Sequence, residues 1–306
     1  MMTTRKIVLL STSAALACLW ILQLIFSGNS AIPVYTLAEV PDGLTINRPD
    51  NSIVRLYKEG ERWLVGEPKY PADTALVTAM LQALGTVKVL GTVSGSADYA
   101  RYGIPETGRL TVTALRAGKV IRTLVVGKNA STNQQSYIVM DDKKDVWLAS
   151  GNLKDTFDRT LADLRDKTLW QVPPEGITKL TWNELPTAKG NAGATLWEIS
   201  ASGTPILWTL NPAKSGAALD QKKVLAWINQ VASLRAQAFA PDNLAVAAKG
   251  IAQLVISAAG KAHTLTILAK ENDQRYLCTS PENPSPFYLD AYTVQNLFKA
   301  PKDLES

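Results

Sequence analysis

An uncharged apolar run near the N-terminus, which begins at Ile7 and ends at Phe26, constrains this chain more than any other feature. At a helical rise of 1.5 Å per residue, about 20 residues match a hydrocarbon core of ~30 Å, so the run predicts a transmembrane helix. Arg5 and Lys6 precede it, and the next basic residue is Arg48. The positive-inside rule then places the N-terminus in the cytoplasm. We therefore expect a single-pass membrane protein whose C-terminal bulk is extracytoplasmic.

Two alternatives to a retained anchor stay open. A cleavable signal peptide has an apolar core of ~7–15 residues and an A-x-A-like cleavage site. The run here is longer, and residues 27–31, SGNSA, follow it. A lipoprotein would use Cys18 as its acylated cysteine, but strongly apolar residues follow Cys18 where a mature lipoprotein becomes polar. We favour the retained anchor, with Cys18 as a packing thiol.

Composition limits the remaining options. The chain has 306 residues, of which 46% are hydrophobic and 19% charged, so the part beyond the run can bury a substantial core. The net charge of +5 comes partly from Arg5 and Lys6, and the other basic residues are scattered rather than clustered, whereas a nucleic-acid interface needs a patch or stripe. The two cysteines, Cys18 and Cys278, cannot form a disulfide framework across a membrane. Packing must therefore stabilise the fold.

Two regions of the chain repeat the same order of patterns. Apolar residues at i, i+3, i+4 and i+7 predict an amphipathic helix after Asp73 and another after Asp220. A Gly-Ile pair follows each aspartate at the same distance, and predicted strands surround both helices. This order indicates an internal duplication. The two apolar stripes are Val77, Met80, Leu81 and Leu84, and Val224, Trp227, Ile228 and Val231.

These patterns predict an α+β fold: an N-terminal transmembrane helix followed by two repeated lobes, each a mostly antiparallel sheet covered by one or two helices. The expected segments are residues 1–31 for the cytoplasmic N-terminus and anchor, 32–172 for the first lobe and 173–306 for the second. The chain passes from the first predicted lobe to the second near Pro173-Pro174-Glu175-Gly176, where the helical pattern cannot continue. We predict a loop after Gly85 and a further helix across residues 153–164.

Several short segments of the first region are similar to a known bacterial family, the domain of unknown function 4340. They are Arg62-Trp63-Leu64-Val65, Pro71-Ala72-Asp73, Tyr102-Gly103-Ile104-Pro105, Val125-Val126-Gly127, Tyr137 and Leu164-Arg165-Asp166-Lys167. The resemblance covers about residues 45–170, and the second region follows it only loosely. It implies a protein tethered to the bacterial inner membrane and encoded beside ABC-type export components related to a gliding-motility system. It implies no catalytic residue.

The second region has Ala248-Lys249-Gly250-Ile251 where the first has the Tyr-Gly-Ile-Pro turn. A site built on that turn would therefore occur once in the chain.

Residues that could support catalysis or metal binding are few. His263, the one histidine, lies in an alternating strand, and no serine lies in a Gly-x-Ser-x-Gly elbow, so we interpret His263 as structural. Asp141, Asp142 and Asp145 could form an oxygen-only calcium site, but two lysines interrupt them, and a solvated turn is the simpler interpretation. The stretch after Gly127 lacks the spacing of a phosphate-binding loop. We therefore expect no metal and no cofactor.

Candidate interaction residues come from the resemblance and from the tryptophans. Most of the eight tryptophans alternate within strands or lie on a helix stripe, which indicates core positions. Trp170 and Trp182, near the predicted link between lobes, could instead line a groove. The candidate interaction surface is Tyr102, Gly103, Ile104, Pro105, Arg165, Asp166, Trp170 and Trp182.

Three functions remain as hypotheses. We favour a non-enzymatic accessory or scaffold subunit that contacts another envelope protein, such as an ABC-type permease or an associated subunit. The second hypothesis is a module that binds glycan or another envelope polymer. The third is a hydrolase with a Ser-Lys or paired-carboxylate site, which would show a deep pocket with converging acids or a buried lysine beside a serine.

Overall fold

The computed structural model describes residues 12–13, 15–21, 32–95, 98–186, 193–204, 206–211, 218–244 and 250–306. The chain divides into two compact units, Met1–Leu164 and Arg165–Ser306. The predicted boundary, residues 172 and 173, lies slightly further along the chain. We refer to these as unit 1 and unit 2 and describe each separately.

Unit 1 contains a 10-stranded antiparallel sheet with the order β1-β6-β10-β9-β8-β7-β2-β3-β4-β5. Most strands alternate buried and half-exposed residues, as expected for a sheet with one face on the core. Its elements are β1 Val34–Thr36, β2 Gly43–Asn47, β3 Ile53–Glu59, β4 Arg62–Val65, β5 Tyr70–Pro71, α1 Thr74–Gly85, β6 Thr86–Ser94, β7 Leu110–Arg116, β8 Lys119–Asn129, β9 Gln135–Met140, β10 Val146–Ser150, α2 Leu153–Phe157 and α3 Leu161–Leu164.

Helix α1 covers one face of this sheet. The Asp73 side chain caps its N-terminus by accepting hydrogen bonds from the backbone N–H groups of Ala75 and Leu76. Val77, Met80 and Leu84 are buried in the main core, as the apolar stripe predicted, whereas Leu81 is half-buried. The predicted helix is therefore present over nearly the predicted range.

Unit 2 contains an 8-stranded antiparallel sheet with the order β14-β13-β12-β17-β18-β19-β20-β16, and β11 pairs separately with β15. Its elements are β11 Thr168–Gln171, β12 Ile177–Glu184, β13 Ala194–Ser202, β14 Leu207–Asn211, α4 Gln221–Val231, β15 Ser233–Arg235, β16 Ala238–Phe239, β17 Ala252–Ala258, β18 Lys261–Asn272, β19 Arg275–Ser280, β20 Asn283–Asp290, α5 Ala291–Leu297 and α6 Pro301–Leu304.

The two units share one topology. Starting from β6 and from β16, the strand orders are β6-β10-β9-β8-β7-β2-β3-β4 and β16-β20-β19-β18-β17-β12-β13-β14. Asp220 caps α4 as Asp73 caps α1, and all four predicted stripe residues of α4 are buried. The backbone N–H groups of Asp73 and Asp220 donate to Leu164 and Leu304, the last residues of α3 and α6. The duplication itself stays a prediction from the sequence.

The predicted fold class, α+β with an N-terminal transmembrane helix, is wrong. Antiparallel strands in large sheets dominate both units. Many strands that follow each other in the sequence pair as hairpins, for example β7 with β8 and β17 with β18. Apart from α1 and α4, the α-helices described between residues 32 and 306 contain only four to seven residues.

The transmembrane part of that prediction also fails. No helix in the described residues is long and apolar enough to cross a membrane. Within residues 7–26, helix is described for residues 12–13 and 15–21, and the rest of the run lies outside the described residues. About 20 residues are needed to span a bilayer as a helix.

Candidate functional site

The Tyr-Gly-Ile-Pro turn, residues 102–105, follows a short 3₁₀ helix, Ala100–Tyr102, in unit 1. Gly103 ends that helix with φ of 72°, a left-handed conformation that favours glycine. Its N–H donates to Ala100 over 3.1 Å, and the N–H of Ile104 donates to Tyr99 over 3.0 Å. The backbone of the turn is therefore fixed by local hydrogen bonds.

The turn packs directly against strand β8. A Cβ atom on Gly103 would lie 2.9 Å from the backbone nitrogen of Lys128. A Cβ atom on Gly127 would overlap the carbonyl oxygen of Tyr102 and lie 2.9 Å from Cγ1 of Ile104. Because real Cβ atoms do not approach so closely, both contacts require glycine. The segments Tyr102-Gly103-Ile104-Pro105 and Val125-Val126-Gly127, which contain these two glycines, are therefore in direct contact.

The side chains of the turn form a small apolar cluster apart from the main core of unit 1. Ile104 is 1% exposed and packs with Val139 and Val146. On β9, Ile138 and Met140 belong to the main core, whereas Val139 belongs to this cluster. Since alternate strand residues face opposite sides of a sheet, the cluster lies on the face opposite the main core.

Three tyrosines surround Ile104, and the hydroxyls of two are already hydrogen-bonded. Tyr99 donates to the carbonyl oxygen of Lys144 over 3.0 Å, and Tyr102 donates to that of Val93 over 3.3 Å. The rings of Tyr102 and Tyr137 have centroids 4.9 Å apart at 54°, a favourable tilted arrangement. These hydroxyls hold the turn in place.

Basic and small residues form the exposed side of the turn. Arg101, Gly103, Pro105 and Lys128 are exposed. The Arg109 guanidinium lies 5.7 Å from the ring centroid of Tyr99, and its Nε donates to the carbonyl oxygen of Pro105. The exposed side of the turn is thus partly basic, and local hydrogen bonds fix the backbone beneath it.

The other candidate interaction residues lie in unit 2, and most are buried. Arg165 is 5% exposed, stacks 3.7 Å from the ring centroid of Phe239 and donates to Ser285 Oγ over 2.8 Å. Asp166 accepts a hydrogen bond from the N–H of Thr168. These contacts give both residues structural roles within the unit.

The two candidate tryptophans are core residues. Trp170 is buried and donates through Nε1 to the carbonyl oxygen of Val231 over 2.9 Å. Trp182 is buried against the edge of the Phe298 ring. Neither indole is open to stack on a sugar.

His263 lies in a buried polar cluster whose geometry does not match a catalytic triad. Its Nδ1 lies 3.0 Å from Oε1 of Glu282, while Ser280 donates its hydroxyl to Oε2 of the same carboxylate over 2.5 Å. A triad requires the serine to contact the histidine. Here the serine contacts the acid, and the ring centroids of Trp170 and His263 are 6.0 Å apart.

The remaining candidates for chemistry are also structural. Burial raises the pKa of the Cys278 thiol to about 12, so it stays protonated and is a poor nucleophile. Asp141 accepts a hydrogen bond from the N–H of Thr123, and no group of three or more potential metal ligands exists among the described residues. One cleft of about 350 Å³ in unit 2 is mostly apolar, and Glu175 is the one charged residue among those described in its lining.

Arg122 is a buried cation that the sequence pattern did not single out. Its Nη1 donates to the carbonyl oxygens of Leu84, over 2.6 Å, and of Tyr35, over 3.1 Å. Burial lowers the pKa of Arg122, and the negative charge of Asp141 opposes this shift. A cation at the C-terminal end of α1 also interacts favourably with the helix dipole. Arg122 therefore ties β8 to α1 and β1.

The corresponding turn in unit 2 differs. The N–H of Ile251 donates to the carbonyl oxygen of Ile267 over 2.7 Å, and a Cβ atom on Gly250 would lie 2.5 Å from Thr266 Cγ2. Ile251 is 42% exposed, unlike the buried Ile104. Residues 248 and 249 of this predicted motif lie outside the described residues.

Comparison with known proteins places the chain in a family. The family model described as domain of unknown function (DUF4340) matches residues 63–254, more than half of the chain. The chain therefore belongs to this family, as the short segments of the first region indicated. No curated protein and no solved structure matches it.

Proposed function

We propose that this chain is a non-enzymatic accessory or scaffold subunit that docks on an envelope protein through the Tyr-Gly-Ile-Pro turn. The observation that carries the proposal is the way the turn is held. Gly103 and Gly127 let it pack directly on β8, while Arg101, Pro105 and Lys128 remain exposed. A surface fixed before binding loses little conformational entropy when a partner docks.

The chemistry of the described residues supports a binding role. The thiol of Cys278 is buried and protonated, and the hydroxyl of Ser280 is directed to Glu282 instead of His263. The side chains that define the turn are used for packing and hydrogen bonding. What the turn offers to another molecule is its shape, one proline and two basic side chains.

The partner in this proposal is an ABC-type permease or an associated subunit of an envelope transport complex. The family resemblance supports that choice, since the resemblance implies genes encoded beside such components. The resemblance also supports a location at the outer face of the cytoplasmic membrane, and the apolar run at residues 7–26 supports association with lipid.

Crosslinking in intact cells tests the proposal. A photoreactive amino acid replaces Arg101 in one strain and Lys119, an exposed hairpin residue of the same unit, in another. We expect a transport-complex subunit to be captured from the Arg101 position and not from the Lys119 position. Adding Gly127→Ala to the Arg101 strain should reduce that product, because the substitution displaces the turn.

Two results would overturn the proposal. One is capture of the same proteins from both positions. The other is repeated recovery of proteins unrelated to envelope transport from the Arg101 position.

A further inference from the structure

Strand β1 lies at one edge of the sheet in unit 1 and exposes apolar side chains. It pairs only with β6 in the described part of this sheet, and all three of its residues are exposed. Val34 lies opposite Lys88, and continuing this register places Ile32 opposite Leu90. The exposed fractions of Ile32, Val34 and Leu90 are 52%, 48% and 38%. We call these three residues with Lys88 the β1–β6 edge.

The shared topology of the two units shows that this exposure is not imposed by the fold. In unit 2, β11 corresponds to β1 of unit 1. Strand β11 comes just before β12 and pairs with β15, the strand after α4, as β1 comes just before β2 and pairs with β6, the strand after α1. Leu169 and Trp170 of β11 are buried, at 5% and 3% exposure. A strand in this position can therefore bury its apolar side chains, but β1 leaves its own exposed.

The position of the edge in the chain indicates what covers it. The apolar run ends at Phe26, six residues before Ile32. An extended chain covers at most ~3.3–3.6 Å per residue, so Ile32 lies within about 20 Å of the end of the run. The strands β1 and β6 contain no acidic residue and one basic residue, Lys88. An aliphatic patch with a lysine suits an anionic lipid surface.

We propose that the β1–β6 edge rests on the lipid surface of the membrane with which the N-terminal run associates. Ile32, Val34 and Leu90 contact the boundary between headgroups and acyl chains, and the Lys88 ammonium lies among anionic headgroups. This contact fixes which side of unit 1 faces the membrane, and it does not depend on the partner proposed above.

Site-specific fluorescence on the full chain tests this contact. An environment-sensitive dye is attached to Val34→Cys or Leu90→Cys in a Cys18→Ser background, with Val120→Cys as the control because Val120 is 60% exposed on a hairpin of the same unit. Cys278 does not interfere, since it is fully buried. The protein is bound to vesicles of equimolar phosphatidylethanolamine and phosphatidylglycerol, and co-sedimentation verifies binding.

We expect emission at shorter wavelengths from the dye at positions 34 and 90, and several-fold stronger quenching by brominated lipid than at position 120. If the chain binds vesicles but all three positions stay equally solvated, the run alone contacts lipid and the proposal is wrong. If positions 34 and 90 become shielded without vesicles as protein concentration rises, a second copy covers the edge, which also refutes the proposal.

Discussion

The close approach of the turn to β8 makes Gly127→Ala the most informative single substitution. The added methyl would overlap the carbonyl oxygen of Tyr102 and press against Ile104 and the backbone of Tyr137, at 2.9 Å and 3.2 Å. Backbone atoms lie on two sides of the methyl, so a side-chain rotation cannot relieve the overlap. We expect the turn to move away from the sheet.

The magnitude follows from what that movement exposes. Burial of an aliphatic side chain contributes about 1.5–3 kcal/mol, and an aromatic pair adds about 0.5–1.5 kcal/mol. Loss of the Ile104 packing together with the contact between Tyr102 and Tyr137 should therefore lower the free energy of unfolding of unit 1 by about 2–4 kcal/mol.

Urea unfolding and hydrogen exchange measure the effect. Exchange in peptides covering residues 98–109 should accelerate, while peptides of residues 250–268 in unit 2 provide an internal reference. The matched control is Gly85→Ala, because Gly85 has no positive φ and a Cβ atom there meets nothing within 4 Å. If Gly127→Ala and Gly85→Ala unfold at the same urea concentration and residues 98–109 exchange alike, the interlocking of turn and strand is refuted.

Three further predictions follow from single sites. Gly103→Ala should lower the free energy of unfolding of unit 1 more than Gly118→Ala in urea unfolding. Both glycines have φ above 70°, but only at Gly103 would an added Cβ atom clash with another residue, Lys128. Equal decreases in the free energy of unfolding would mean that backbone strain alone determines the effect. Asp220→Ala should lower the stability of unit 2 by about 1 kcal/mol through loss of the helix cap, and Asp220→Asn should restore most of it in the same assay. The pKa of Cys278 rises from 9.0 to about 12 on folding, so the unfolded state ionises first as pH increases. Stability should therefore fall between pH 9 and pH 12, and Cys278→Ala should show a shallower fall in pH-dependent unfolding; identical slopes would contradict this.

The two long helices were predictable because local signals agreed. Asp73 and Asp220 each stand before an apolar stripe, and the structure uses both as caps. The apolar spacing also identified all the residues that α1 and α4 bury, and of the predicted residues only Leu81 is half-buried. Such features depend on neighbours within a few positions, so a single sequence contains the information needed to predict them.

Features that depend on distant contacts were missed. The stretch after Gly85 was predicted as a loop, yet Thr86–Ser94 forms β6 with its Val87 and Val89 side chains in the core. The helix predicted across residues 153–164 is divided into α2 and α3. The alternating valines were a usable signal for β6. The division into two helices had no comparable signal.

The contact between the turn and β8 could not be predicted from the sequence alone. The sequence singled out Gly103 and Gly127 separately, but nothing local showed that the two backbones meet. Lys128 joins the site for the same reason, since it lies on β8, whereas Tyr99 and Arg109 lie within four residues of the turn in sequence. Two short motifs that each contain a glycine and belong to one family could have suggested such a contact.

The hydrogen bonds from Asp73 to Leu164 and from Asp220 to Leu304 have a consequence for biosynthesis. In each unit, the capping residue of the long helix donates its backbone N–H to the last short helix, which is synthesised after the rest of that unit. Neither hydrogen bond can form until α3 or α6 has left the ribosome. A nascent chain halted before residue 164, or a product lacking α6, would lack this bond between the start of its long helix and the end of the unit, and we expect it to be cleaved faster by proteases.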